Sequence, residues 1–165
     1  MTGSDMKHLW APWRISYIIA EKPEGCIFCP SQKSDRERLV LLRSEYSLLL
    51  MNRYPYTGGH LLAAPLRHTA DPDELSEEEW LDLVRMLRRA RNILTAAAQP
   101  DGFNIGINLG APAGAGIEEH LHLHIVPRWN GDSNFMAVIN DTRIIPEGLA
   151  EVYDRLLPLT GPGRE

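Results

Sequence analysis

A chain of 165 residues with a net charge of −5 is long enough to bury one hydrophobic core, and it lacks the basic excess of a protein that wraps nucleic acid. Its 44% hydrophobic and 24% charged residues are those of a globular domain, and no apolar run reaches the roughly 18 residues of a membrane span. The N-terminal residues lack the apolar stretch of a secretory signal, so a cytoplasmic protein with neither membrane nor nucleic-acid partners is expected.

Residues 1–24 are rich in Trp, Tyr and Pro and read as an arm, with a short helix expected at 15–20 and Trp10, Trp13 and Tyr17 either packing it or covering a pocket. Cys26 and Cys29, the only two cysteines, form a C-x-x-C pair. In a reducing compartment such a pair is half of a metal site, a redox couple or two buried thiols. Residues 30–37 read as a polar loop. Strands are predicted at 39–43 and 47–52, joined by a hairpin link at 43–45. A turn at 54–59 carries Pro55, Gly58 and Gly59, and a third strand follows at 60–65.

Ser76 and Glu79 make a capping box for a long helix, along which Trp80, Val84, Leu87, Leu94 and Ala97 recur at helical spacing. Its charged face (Glu77, Glu78, Asp82, Arg85, Arg88, Arg89) reads as solvated surface. Asp101-Gly102 closes the helix. A fourth strand at 103–109 alternates Phe103, Ile105 and Ile107 against Asn104, Gly106 and Asn108. A Gly/Ala/Pro loop at 110–116 leads to a fifth strand at 119–126 ended by Pro127. A last helix is expected at 147–157. Strands, one long helix, then strands again predict an α+β fold with a mainly antiparallel five-stranded sheet and a C-terminal helix.

The chemistry concentrates in Glu119-His120-Leu121-His122-Leu123-His124-Ile125-Val126. Strand alternation puts Leu121, Leu123 and Ile125 on one face, the core, and His120, His122 and His124 on the other. Successive same-face positions lie about 6–7 Å apart. Three imidazoles are a poor choice for a core, because each buried ring needs partners. Nearly collinear rings also suit one tetrahedral metal badly. Surface histidines and a tri-histidine metal site are the competing readings. A division of labour along the row, with one imidazole reacting and its neighbours serving it, fits best.

The run His120-Leu121-His122-Leu123-His124-Ile125-Val126 resembles the signature of the histidine triad (HIT) family at every position. Asn52-Arg53-Tyr54-Pro55-Tyr56-Thr57-Gly58-Gly59-His60-Leu61-Leu62-Ala63-Ala64-Pro65 is similar to the family's N-x-x-P-x-x-x-G-H-x-L-x-x-P segment. Cys26-Ile27-Phe28-Cys29 is similar to the opening motif of its zinc-containing members. The Leu9-Trp10-Ala11-Pro12-Trp13-Arg14 opening and Trp129-Asn130-Gly131-Asp132 resemble a bacterial branch near the diadenosine tetraphosphate phosphorylases.

The resemblance implies a HIT-like fold in a homodimer, divided into an arm (1–24), the HIT domain (25–140) and a C-terminal helix and tail (141–165). It implies an enzyme in which His122 attacks the α-phosphate of an adenosine polyphosphate or dinucleotide and forms a nucleotidyl-histidine intermediate. A nucleoside phosphoramidase, or a nucleotide-binding protein without turnover, is the alternative. His124 and His60 would flank the nucleophile, with a packing histidine as the other reading of His60. Asn52 would hold the ribose, or merely start the turn. Asn108 would donate to phosphate oxygens. Arg128, Trp129, Asn130, Asp132 and Asn134 would tune substrate choice or form a polar surface loop. A structural zinc is implied on Cys26, Cys29, His68 and His120. The better-known members carry Gln and then Ser or Thr where this chain has Gly116 and Ile117, so backbone amides of 110–116 are expected to stand in for those side chains.

Overall fold

A computed structural model describes residues 25–132 and 147–161. The arm with its Trp10, Trp13 and Tyr17, the helix expected at 15–20, and Asn134 lie outside the described residues. No helix among the described residues is long and apolar enough to cross a membrane.

The chain runs through a short helix α1 (Asp35–Arg38), strands β1 (Val40–Arg43), β2 (Ser47–Met51) and β3 (Leu61–Pro65), the long helix α2 (Glu77–Ala98), β4 (Gly102–Ile107), β5 (Leu123–Arg128) and α3 (Leu149–Leu156). The strands form one antiparallel sheet in the order β1-β2-β3-β5-β4, the architecture expected from the sequence.

α2 starts on the expected box: the Ser76 hydroxyl accepts from the Glu79 N–H, and Glu79 reaches back to the Ser76 N–H. Its inward stripe is Leu83, Met86, Ala90, Ile93 and Leu94, flanked by Trp80, Leu87 and Ala97. Val84, expected inside, is 49% exposed. The helix ends at Gln99, which adopts a left-handed cap, before Asp101. Asp82 departs from the solvated face predicted for it. Its Oδ2 accepts from the hydroxyls of Ser44 (2.5 Å) and Ser47 (2.7 Å) and ties the helix to the β1–β2 hairpin.

Four other features differ from the sequence reading. The stretch read as a loop at 30–37 contains α1, started by a second capping box of Ser34 and Glu37. β4 ends at Ile107, and as the edge strand it leaves Ile105 half exposed. β5 begins only at Leu123, because residues 118–120 turn and the Leu121 N–H bonds instead to the Thr69 carbonyl at 2.6 Å. Nor does Pro127 end that strand. Pairing with β3 stops at Leu61–Ile125, so the missing proline N–H costs no ladder bond there, while Phe103 on β4 still lies opposite.

Both faces of the sheet are covered. On one, α2 and α3 pack on Leu49, Met51, Leu61, Ala63, Leu121, Leu123 and Ile125. α3 contributes Val152, Tyr153 and Leu156, and the Tyr153 hydroxyl donates to the Val40 carbonyl. On the other, Leu48, Leu50, Leu62 and Ala64 pack with Val40 and Phe28. The leucine face of the histidine row therefore joins the helical core, as alternation requires. The histidines enter the second cluster's side and are themselves buried: His120 to 1% exposure and His122 to 5%.

Candidate functional site

Five histidines converge where β3, β5 and the loops flanking them meet, and hydrogen bonds fix the tautomer of four. The His122 Nδ1 lies 2.8 Å from the His120 carbonyl, an oxygen that can only accept. The proton of the neutral ring is therefore on Nδ1, and Nε2 keeps a free lone pair. Burial holds His122 below the ordinary histidine range, so the ring is neutral near pH 7.

His60 is set from the opposite direction. The Tyr56 N–H donates to its Nδ1 at 3.1 Å, so its proton is on Nε2, which points at His124 Nδ1 at 2.9 Å. His124 then carries its own proton on Nε2. That atom is buried and has no hydrogen-bond partner among the described residues, an expensive state for a donor unless a ligand takes it. Burial, reinforced by the neighbouring imidazoles, lowers His60 to about 3 and His124 to about 4. A lone pair on His122 thus sits beside an N–H on His124, their ring centroids 5.0 Å apart. A nucleophile next to a proton donor is an arrangement that can attack phosphorus and assist a leaving oxygen.

Local chain geometry delivers His60. Gly59 takes φ +80°, and a Cβ there would lie 3.2 Å from the Leu94 side chain of α2. Only glycine lets the turn pass that closely beneath the helix. Asn52 serves the same turn: its Oδ1 accepts the Tyr54 N–H at 2.9 Å, and its Nδ2 lies 3.2 Å from His60 Nδ1. The turn-starting reading of Asn52 therefore applies, joined to a contact with the histidine cluster.

A groove of about 310 Å³ opens beside His124, lined by Tyr56, Asn104, Gly106, Asn108, Val126 and Arg128 among others. Asn108 lies on its wall and donates weakly to the Gly114 carbonyl. In the 110–116 loop the N–H groups of Ala111, Ala113, Gly114 and Ala115 are spent, on Glu118 and on loop carbonyls. The cradle expected there narrows to the amides of Gly110 and Gly116, which have no partner among the described residues. Ile117 packs on the second cluster. At the far end, Arg128 is held by both oxygens of Asp132 and by Asn104.

The remaining two histidines belong to a different group. Cys26, Cys29, His68 and His120 place one ligand atom each within 4.8 Å of one another. Cys26 Sγ and Cys29 Sγ lie 3.2 and 3.7 Å from His120 Nδ1, Cys29 Sγ lies 3.2 Å from His68 Nδ1, and the two Nδ1 atoms are 3.1 Å apart. The donor set is that of a closed tetrahedral metal site. His120 Nε2–H donates to the Pro65 carbonyl at 2.9 Å, which frees Nδ1 to be a ligand. The cluster could hold a metal ion, and the two sulfurs are not in a disulfide.

Two residues of this region had no signal in the sequence reading. Arg38 places Nη2 within 3.2 Å of the carbonyls of Ile27, Phe28 and Cys29, clamping the C-x-x-C knuckle. Phe28, between the cysteines, is 1% exposed and lies against two triad rings. An aromatic inside the C-x-x-C pair could have been flagged, whereas nothing local marks Arg38.

The fold and this site define a histidine triad protein, and comparison with known proteins agrees. Residues 33–131 match the model of the HIT domain, and the chain belongs to that family. It is 36% identical over 157 residues to a protein of Mycobacterium tuberculosis named AP-4-A phosphorylase, covering 88% of this chain and 80% of the relative. It is 32% identical to an adenosine 5'-monophosphoramidase of Schizosaccharomyces pombe, over 64% of this chain and 76% of that one. A zinc-bound histidine triad family protein of Mycobacterium smegmatis superposes with a TM-score of 0.60 at 28% identity, covering 74% of this chain and 83% of that structure.

Proposed function

We propose that this chain is a nucleotidyl hydrolase or transferase that cleaves dinucleoside polyphosphates through a nucleotidyl intermediate on His122. The observation that carries the reading is the tautomer pattern: a fixed Nδ1–H on His122 facing the His120 carbonyl, and an unpartnered Nε2–H on His124. In the first step the His122 Nε2 lone pair forms a bond to the α-phosphorus, and the bond from that phosphorus to the leaving phosphate oxygen breaks. The His124 N–H bonds to that oxygen as negative charge builds on it. In the second step an oxygen of water or inorganic phosphate attacks the same phosphorus and the N–P bond breaks. His60 keeps His124 in the donating tautomer, and Asn52 and Tyr56 keep His60. Asn108 and the Gly116 amide are the contacts assigned to phosphate oxygens, and Asn52 is the residue assigned to the ribose.

Zinc suits the Cys₂His₂ set. With four protein ligands it would have no open position for water, so its part is structural. It would fix the knuckle, His68 and the backbone on which His122 hangs. A homodimer is supported by the β4 edge, which no strand among the described residues pairs, with its exposed Ile105. A cytoplasmic setting suits paired thiols kept reduced.

Incubating the protein with diadenosine tetraphosphate, with and without inorganic phosphate, tests the reading beside His122→Ala. Turnover should vanish in the variant. ADP plus ATP, formed only when phosphate is present, identify a phosphorylase, and AMP plus ATP without phosphate identify a hydrolase. No turnover at all sinks the polyphosphate assignment. Release of amine from adenosine 5'-phosphoramidate would then favour the second reading, for which the S. pombe relative speaks.

A further inference from the structure

The C-x-x-C knuckle carries more than ligands. Between its cysteines, Phe28 turns its ring inward, where it lies 5.0 Å from the His122 ring at 29°, a stacked arrangement. The same ring is 4.9 Å from His120 at 45°. Such centroid distances are those of favourable ring–ring contact. Phe28 is 1% exposed, so neighbouring groups hold the ring in its place. Val40, Leu48, Leu50, Leu62 and Ala64 surround it. Its backbone is fixed twice: the flanking cysteines belong to the four-ligand cluster, and Arg38 holds the carbonyls of residues 27, 28 and 29.

The hydrogen bond to the His120 carbonyl fixes only one atom of the His122 ring. That bond and the covalent tether at Cγ hold the ring's average position, but χ2 of a histidine is a soft torsion, so the ring can still rotate within a broad well. Nucleophilic attack needs Nε2 aimed at phosphorus, so rotation must be restrained as well. A flat ring stacked on one face supplies that second restraint.

We infer that Phe28 is a positioning residue for the nucleophile, stacking on His122 so that the knuckle which joins the metal cluster also sets the direction of attack. The inference rests on the reading of His122 as the nucleophile and adds to it a role for the knuckle's own side chain.

Phe28→Leu keeps apolar bulk and removes the flat face. Met86→Ala, in the helical core on the other face of the sheet, loosens packing without touching the cage around Phe28. Three quantities separate the possibilities: kcat and KM for diadenosine tetraphosphate, bound metal per chain, and the solvent-exchange rate of the His122 Nδ1–H followed by ¹⁵N NMR. In Phe28→Leu we expect kcat to fall at least about tenfold with KM within about twofold. Metal content should be unchanged, and the Nδ1–H should exchange faster. Met86→Ala should lower Tm while leaving kcat and the Nδ1–H signal intact. Unchanged kcat in Phe28→Leu overturns the inference, since the ring would then be packing alone. A rise confined to KM overturns it too, by making Phe28 a substrate contact. Loss of metal in step with kcat also overturns it, because the ring would then act through the ligands. If the wild-type protein turns over no nucleotide, the nucleotidyl reading fails, while the Nδ1–H exchange rate still decides what Phe28 does to His122.

Discussion

The two faces of the sheet are built on different principles. Under α2 and α3 the packing is aliphatic and continuous, and each side chain there is replaceable by another of similar size. On the other face a small cluster of six buried residues abuts four cysteine and histidine ligands and three more imidazoles. Among the described residues, the one buried side-chain nitrogen or oxygen without a partner is His124 Nε2, the donor left for a ligand. The first face supplies stability by area. The second trades area for orientation, since a hydrogen bond or a stacked ring fixes a direction as well as a distance.

Breaking that contrast is most visible at the nucleophile. His122→Ala should lower turnover by about 10⁴-fold or more while leaving the helical core, and so Tm, nearly unchanged. Single-turnover assays and thermal melts on the same preparation check it. Metal removal should affect the orienting face as a unit. Chelation, or Cys26→Ser, should reduce kcat and lower Tm by about 10 °C or more, because ligand binding to the folded state is itself folding free energy. A melt that does not move with chelator would mean the four-residue cluster is not loaded. Leu83→Ala is the reciprocal test on the helical face: a fully buried side chain is cut away, at a cost of about 2–5 kcal/mol. The folded fraction should keep its kcat, as measured well below the new Tm.

The smallest effect expected is on pH. His60 and His124 are held to about 3 and about 4, below the 6.5 of an ordinary histidine, chiefly by burial. Between those values and 6.5 the unfolded chain binds more protons than the native one, so stability rises with pH in that window. It is fully present above 6.5 and is lost progressively as the pH falls toward 4. Tm should therefore drop on acidification, and less so in His60→Asn, where one of the two groups is gone.

The difference between the faces also explains what the sequence made legible. The helical face follows a 3.6-residue period and the strands a 2-residue one, so its stripe could be read locally, with errors such as Val84 where the apolar residue lies just off the stripe. The histidine row was legible for the same reason, since alternation separates Leu121 and Leu123 from His120 and His122 even before the ladder starts. Resemblance to the family brought His60, His68 and Asn52 to the site, and no periodicity would have done so. Arg38 and Phe28 stayed hidden because their partners are backbone carbonyls and ring faces, which leave no pattern of residue types. Asp82 was misread on the same ground: a charged residue on an outer helix face looks solvated until two serine hydroxyls from a distant hairpin are found on it.

Glu79 carries a last consequence. One of its oxygens closes the start of α2 on the Ser76 N–H at 2.8 Å, and the other accepts from Arg67 Nε at 2.8 Å, the residue beside His68. Helix ends ordinarily fray first, and their amides exchange with solvent long before the middle. Here the fraying end is pinned to the strand-to-helix loop that carries a ligand. Deuterium uptake at residues 77–80 should consequently report whether the Cys26–Cys29–His68–His120 cluster is intact, from a helix that contributes no atom to it.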